Sequence, residues 1–255
     1  MILKELKVDR LDVYVHDTRA SMGEQVARDF ASYLRELLKN KDEVNVVFAA
    51  APSQADFLDA LTRETGIDWS RVNVFHMDEY IGISIDEEQS FARFVKKYVA
   101  DKLNVGKFYA LNGKADSIDE ECLRYTKLLR DSKIDIVCLG IGENGHIAFN
   151  DPGEADFWDE KDVKTVTLDE KCRIQQVNDK CFATIDDVPL RAMTLTVPAL
   201  MRAGAMFCTV PAATKAWAVE RTLTGAIDVM CPATALRLHA NAKFYCDKDS
   251  GAAIL

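Results

Sequence analysis

Short, mainly apolar runs recur along this chain, and the segments between them carry helical spacing. That alternation limits the fold more than any other feature of the sequence. Val44 to Ala50 reads VNVVFAA, Arg71 to Tyr80 reads RVNVFHMDEY and Ile134 to Leu139 reads IDIVCL, each with the content of a strand buried on both faces. Leu11 to His16 alternates as an earlier strand, and Asp17 and Thr18 are capping residues ahead of a helix from about Arg19 to Lys39. Further helices are expected over about Gln54 to Arg63, over Phe91 to Leu103 behind a Ser90 cap, and over Ile118 to Arg130, with a short strand around Phe108 to Leu111. Strands alternating with helices imply an α/β fold with a parallel sheet covered on both faces.

The second half is more mixed. Val163 to Leu168 and Arg191 to Leu200 read as further strands, and the polar segment Asp169 to Phe182 as a loop or short helix near the site. Ala205 to Val210 is a buried strand, after which Thr214 is expected to cap a helix from Lys215 to Thr224; Leu236 to His239 and Lys243 to Asp247 close the fold. No Pro, Gly or Ser-rich linker divides the 255 residues, so one domain over 1–255 is expected.

Composition excludes several classes of function. A net charge of -9, from 41 acidic and 32 basic residues, argues against non-specific nucleic-acid binding. The seven cysteines never fall in CxxC spacing and read as reduced thiols of a cytoplasmic protein. Met1 to Asp17 lacks the apolar core of a signal peptide, and no later run is long enough for a membrane span, so no membrane partner is expected. A homo-oligomer is compatible with the sequence.

The chemistry concentrates where strands end. After Leu139, the glycines Gly140, Gly142 and Gly145 punctuate a turn that carries Glu143, Asn144, His146 and Asp151, and open α/β sheets bind ligands beyond such carboxyl ends. Histidine is the side-chain type suited to acid–base work near neutral pH, and either Asp151 or Glu143 is placed to fix the tautomer of His146. Asp78 and Glu79 arrive together at the end of another apolar strand, where burial without use is costly; Asp78 is a candidate carboxylate base. Ser53 and Gln54 open a helix whose free amides suit an anion, although Ser53 also reads as an ordinary cap. Lys215 lies at another helix N-terminus, where the dipole disfavours a cation unless an anion joins it. A base, an acid–base histidine and an anion grip fit proton transfer beside the carbonyl of a sugar phosphate. A metal site on Asp78, Glu79, His146 and Asp151 is the competing chemistry, but it lacks the usual ligand spacing.

At these motifs the chain resembles the glucosamine-6-phosphate deaminase (isomerase) family. FHMDEYIG, Phe75 to Gly82, is similar to that family's N-MDEY-G segment, LGIGENGHIAFNDP, Leu139 to Pro152, is similar to its glycine- and histidine-bearing signature, and ALRLHANAKFYCD resembles its closing segment. The resemblance implies a three-layer α/β/α Rossmann-like fold with a mostly parallel central sheet. It also implies conversion of an amino-sugar 6-phosphate to a ketose 6-phosphate and ammonia without cofactor or metal. It assigns Asp78 as the base that moves a proton between C2 and C1, His146 as the ring opener, Asn144 and Asp151 as the residues that orient it, and Lys215 as a phosphate contact. Either Arg173 or Lys180 would supply a second cation. Ser53, Gln54, Glu79 and Gly142 complete the expected substrate contacts. Two departures stand out. The family's Gly/Thr-rich phosphate loop is replaced by AAAPSQADF, Ala49 to Phe57, and Asp151 stands where the family has Glu. A lactone hydrolase of the 6-phosphogluconolactonase type and a non-catalytic sugar-phosphate sensor are the alternative readings.

Overall fold

The computed structural model describes residues 1–255. Strands β1 (Ile2–Val8), β2 (Leu11–His16), β3 (Val44–Phe48), β4 (Val72–His76), β6 (Lys107–Tyr109), β7 (Ile136–Leu139), β10 (Ala205–Val210) and β11 (Ala242–Asp247) form one sheet in the order β1-β2-β11-β10-β7-β3-β4-β6. A second, antiparallel sheet joins β5 (Asp78–Tyr80), β9 (Arg191–Leu195) and β8 (Val163–Thr167) in the order β5-β9-β8. The large sheet is parallel throughout except for the hairpin of β1 and β2.

The parallel strands alternate between two apolar layers. Val46 and Phe48 of β3, Ile136 and Cys138 of β7 and Phe207 of β10 face the layer that includes Val26, Phe30 and Leu34 of α1 (Arg19–Asn40) and Phe57 and Leu61 of α2 (Ala55–Leu61). Phe91 and Val95 of α3 (Phe91–Val95) and Leu103 of α4 (Asp101–Leu103), joined by a wide turn over Lys96–Ala100, extend that layer. Val47, Val137, Met206 and Cys208 point the other way, against Tyr125 and Leu129 of α5 (Ile118–Ser132), Leu200 of α7 (Val197–Met201) and Val219 of α8 (Ala216–Thr224). Burial on both faces explains why these strands read as continuous apolar runs. The result is a three-layer α/β/α arrangement of Rossmann-like type.

Several elements differ from the sequence reading. Ile2–Val8 forms an edge strand that was not anticipated; most of its residues are half-buried or exposed, so it lacks an apolar signature. Arg71 to Tyr80 is not one strand. Its ladder breaks at Met77, and Asp78–Tyr80 pairs with β9 in the smaller sheet. Asp169 caps a true helix, α6 (Glu170–Asn178), by accepting the Cys172 amide. Thr214 makes no capping bond, and α8 starts at Ala216 with Lys215 as its half-in residue. No helix is long and apolar enough to cross a membrane.

The sheet order places the site. Consecutive strands run outward from β3 through β4 to β6, and the chain then returns to lay β7 on the other side of β3 before continuing to β10 and β11. Between β3 and β7 the winding reverses, and the loops leaving their carboxyl ends diverge to open a crevice.

Candidate active site

Four neighbouring parallel strands deliver their carboxyl-terminal segments to this crevice: Pro211 to Lys215 from β10, Gly140 to Phe149 from β7, Ala49 to Ser53 from β3, and Met77 and Asp78 from β4. Helix α6 closes the remaining side with Gln175, Gln176 and the following Asp179. Asp78, His146, Ser53 and Lys215 therefore line one cleft.

The turn after β7 builds a hydrogen-bonded dyad. His146 Nδ1 lies 2.8 Å from Asp151 Oδ1. Asn144 spans the pair, accepting the His146 amide through Oδ1 at 3.1 Å and donating Nδ2 to Asp151 Oδ1 at 2.9 Å. A carboxylate only accepts, so the ring proton sits on Nδ1 and Nε2 is left as the basic nitrogen. Asp151, and not Glu143, is the orienting acid; Glu143 instead donates its main-chain amide to Gln175 Oε1 at 3.0 Å, tying the turn to α6. Burial acts to raise the Asp151 carboxyl, but His146 and the donors around it prevail and hold it below the usual carboxylate range. Gly142 forms the floor: a Cβ there would stand 2.2 Å from His146 Cε1, so any side chain would evict the imidazole.

Asp78 is built differently. It is 7% exposed, and no protein donor reaches its carboxylate oxygens. Burial, and then the neighbouring Glu79, hold its carboxyl well above the usual range. Glu79 does not face the cleft. Alternation along β5 turns it to the N-terminus of α3, where it accepts from the amides of Phe91 and Ala92, from Ser90 Oγ and from its neighbour Tyr80. Burial pushes Glu79 up to about 7 against those bonds. The place expected for Glu79 as a substrate contact is thus corrected: it is a buried helix cap.

Lys215 is 7% exposed, and its ammonium makes no ion pair or hydrogen bond within the protein; only its main-chain amide is bonded, to the Ala212 carbonyl. Burial lowers its pKa, opposed by the more distant carboxylates of Asp179 and Glu143. Ser53 Oγ accepts from Gln54 Nε2 at 3.2 Å, leaving the Ser53 hydroxyl proton to donate elsewhere. The Gln54 side chain lies beneath the cleft, with Nε2 also 3.4 Å from the Thr209 carbonyl. The amides of Gln54 and Ala55, expected to grip an anion, are already bonded to Ala51 and Pro52 carbonyls. Two of the six non-glycine residues with positive φ, Ala148 at 51° and Ala212 at 83°, line the same opening. Asp247 pins the second by accepting the Ala212 amide at 3.0 Å.

Neither expected second cation faces this cleft. Arg173 turns back to the carbonyls of Ile185 and Val188, bracing the loop after α6. Lys180 is exposed and lines an adjoining hollow beside Phe91 and Phe182. The cation that does line the cleft, besides Lys215, is Arg19 at the start of α1, which pairs with Asp56 and donates to the Pro52 carbonyl. Sequence reading missed it because a helix-start arginine carries no distinguishing signal. Gln175 and Gln176 were also missed, although two adjacent amides in a short polar helix are a faint marker; Gln176 Oε1 accepts the Tyr80 hydroxyl at 2.6 Å. His146, Asp151 and Cys172 offer N, O and S ligand atoms within 4.8 Å of one another, a set different from the metal quartet considered on sequence grounds.

The chain is similar to known proteins over most of its length. Residues 17–245 match the family model described as glucosamine-6-phosphate isomerases/6-phosphogluconolactonase. A glucosamine-6-phosphate deaminase of Bacillus thuringiensis (strain Al Hakam) is 33% identical over 227 residues, which is 89% of this chain and 84% of that protein. Among solved structures, a monomeric glucosamine-6-phosphate deaminase superposes with a TM-score of 0.85 at 28% identity, over 94% of this chain and 98% of that one. The 6-phosphogluconolactonase of Thermotoga maritima superposes with a TM-score of 0.76 at 18% identity, over 93% of this chain and 100% of the other, a likeness of fold.

Proposed function

The chain belongs to the family of glucosamine-6-phosphate isomerases and 6-phosphogluconolactonases, and from that footing we propose that it converts a 2-amino-aldose 6-phosphate, glucosamine 6-phosphate first among them, to the ketose 6-phosphate and ammonia. The observation that carries this reading is Asp78, a buried carboxyl with no donor of its own that opens on the same cleft as the His146 and Asp151 dyad. Lactone hydrolysis needs a base to activate water but no second, separately held carboxyl. Proton transfer between adjacent carbons needs one.

In this mechanism Lys215 and the Ser53 hydroxyl hold the phosphate. His146 Nε2 takes the proton from the anomeric hydroxyl and returns one to the ring oxygen, so the pyranose opens to an aldehyde. Asp151 keeps Nδ1 protonated during the exchange. The open C1 carbonyl acidifies the C2 hydrogen, which Asp78 removes. Its raised proton affinity makes it a stronger base than an ordinary carboxylate once ionised. The O1 oxygen takes a proton from the substrate's own 2-ammonium group, giving the enolamine, and Asp78 then delivers its proton to C1. The resulting C2 iminium adds water and expels ammonia, leaving the ketose carbonyl.

The test is release of ammonia and fructose 6-phosphate from glucosamine 6-phosphate, followed in wild type and Asp78→Asn. Turnover in the wild type and its loss in the variant, with the fold intact, are expected. No ammonia from any 2-amino-2-deoxyhexose 6-phosphate, or opening of 6-phosphogluconolactone instead, overturns the assignment.

A further inference from the structure

His76 is a buried titratable group for which the mechanism above has no use. It ends β4, is 0% exposed and does not line the cleft. Both ring nitrogens are nonetheless committed: Nδ1 is 2.9 Å from the Asp78 carbonyl oxygen, and Nε2 is 2.9 Å from the Leu111 amide. An amide only donates, so Nε2 is the acceptor and the single ring proton lies on Nδ1, donated to Asp78. One tautomer alone satisfies both ends.

The main chain of His76 is held as firmly. Its amide donates to Tyr125 Oη at 3.0 Å, and the Tyr125 hydroxyl in turn faces the His76 carbonyl at 2.9 Å and that of Tyr109 at 3.1 Å. The imidazole is packed between the rings of Phe108 and Tyr125, with centroids 6.1 and 6.2 Å away. It therefore links the end of the parallel sheet, the segment after β6 and the first residue of β5.

That link falls where aim is decided. The Asp78 side chain has no donor to hold it, so its direction follows from its main chain, fixed on one side by pairing with Thr194 of β9 and on the other by the His76 ring. We propose that His76 is the positioning residue for Asp78, setting the direction of the proton-transferring carboxylate through the Asp78 carbonyl. This rests on the reading of Asp78 as the C2 to C1 proton carrier. The task calls for a rigid side chain with a donor on one edge and an acceptor on the other. Phenylalanine fills the volume without either.

The experiment compares wild type, His76→Phe and His76→Gln with glucosamine 6-phosphate, well below each melting temperature. It measures kcat, KM, exchange of the C2 hydrogen with solvent, and the rise in melting temperature with inorganic phosphate. His76→Phe is expected to lose roughly 100-fold in kcat and in C2 exchange, the loss typical of a small misplacement of a reacting group, with KM and the phosphate response kept. Partial recovery in His76→Gln supports the same conclusion. A kcat in His76→Phe within about twofold of wild type overturns it, as does parallel loss of KM and phosphate response. Should His76→Phe fail to fold, nitrogen-15 spectra of the wild-type imidazole decide: one proton on Nδ1 from about pH 5 to about pH 8 is expected, and a proton on Nε2 overturns the proposal. Absence of ammonia release by the wild type would instead strike the functional reading, and the imidazole spectrum separates the two failures.

Discussion

Replacing Lys215 with methionine tests the anion grip most sharply, because the two states of the protein should respond in opposite directions. Without ligand, the ammonium is 7% exposed and has no ion-pair partner, and burial disfavours its charged form. Methionine has nearly the same length and no charge to desolvate, and exchanging buried ionic groups for apolar ones of similar volume stabilises proteins by about 1–4 kcal/mol where it acts. Taking about 1 kcal/mol as the lower figure, the ligand-free Lys215→Met protein should melt roughly 2 °C higher at this chain length. With ligand the sign reverses. Removing one partner of a buried charge pair costs about 2–5 kcal/mol, which corresponds to a loss of roughly 30-fold to several thousand-fold in affinity. Wild type with phosphate at about 100 times its dissociation constant should gain about 2.7 kcal/mol, or roughly 5 °C, and Lys215→Met almost none of it. Differential scanning fluorimetry with and without phosphate, paired with KM for glucosamine 6-phosphate, reads both arms. A ligand-free melting temperature that falls, together with an unchanged phosphate response, would show that Lys215 is a structural cation and that the grip lies elsewhere.

Other perturbations follow from the same geometry. Asp78→Asn should lose about 10²- to 10⁴-fold in turnover. It should also be more stable than wild type at neutral pH: a carboxyl held well above its ordinary value when folded loses stability as pH rises past the unfolded value, so the gap seen by urea denaturation should be small near pH 4 and widen upward. Asp151→Glu restores the family's residue but should lower both stability and kcat, because Asp151 is 0% exposed and already reaches His146 at 2.8 Å; an added methylene overpacks by about 1–3 kcal/mol, and activity at or above wild type would contradict this. His76, lowered to about 4 by burial despite the opposing pull of the Asp78 carbonyl and then Glu121, stays neutral in the fold while the unfolded chain takes up a proton near pH 6.5. Its stabilisation, about 3 kcal/mol, should be whole above that value and drain away as pH falls toward 4, and a wild-type minus His76→Gln difference that is flat over this range would refute it.

What the sequence revealed and what it hid divide along a physical line. The buried strands of the parallel sheet were legible because burial on both faces writes a run of apolar residues, as in Val44–Phe48 and Ile136–Leu139. The dyad was legible because Asn144, His146 and Asp151 sit within one turn, where local contacts follow from chain order. Contacts made across the fold left no such trace. Glu79 and Asp78 look equivalent side by side, yet the alternation of a three-residue strand sends one to cap α3 and leaves the other facing the cleft. The resemblance implied a second cation at either Arg173 or Lys180, but only the path of the loop after α6 decides that Arg173 serves the carbonyls of Ile185 and Val188.

The loss of glycine and threonine from the loop after β3 is connected with that outcome. A glycine-rich loop wraps an anion with main-chain amides, whereas Pro52–Gln54 forms a tight turn that uses the Gln54 and Ala55 amides internally. The burden of holding an anion then passes to side chains, and the ones in place are the Ser53 hydroxyl, freed to donate by Gln54, and the unpaired ammonium of Lys215. Arg19, at the edge of the same cleft, fastens Asp56 and the Pro52 carbonyl, so the turn stays fixed without glycine. A grip built this way depends on one buried charge instead of several shared amides. Its strength should therefore follow the protonation of Lys215, weakening at alkaline pH sooner than an amide-built site would, because burial has already lowered the pH at which that lysine gives up its proton.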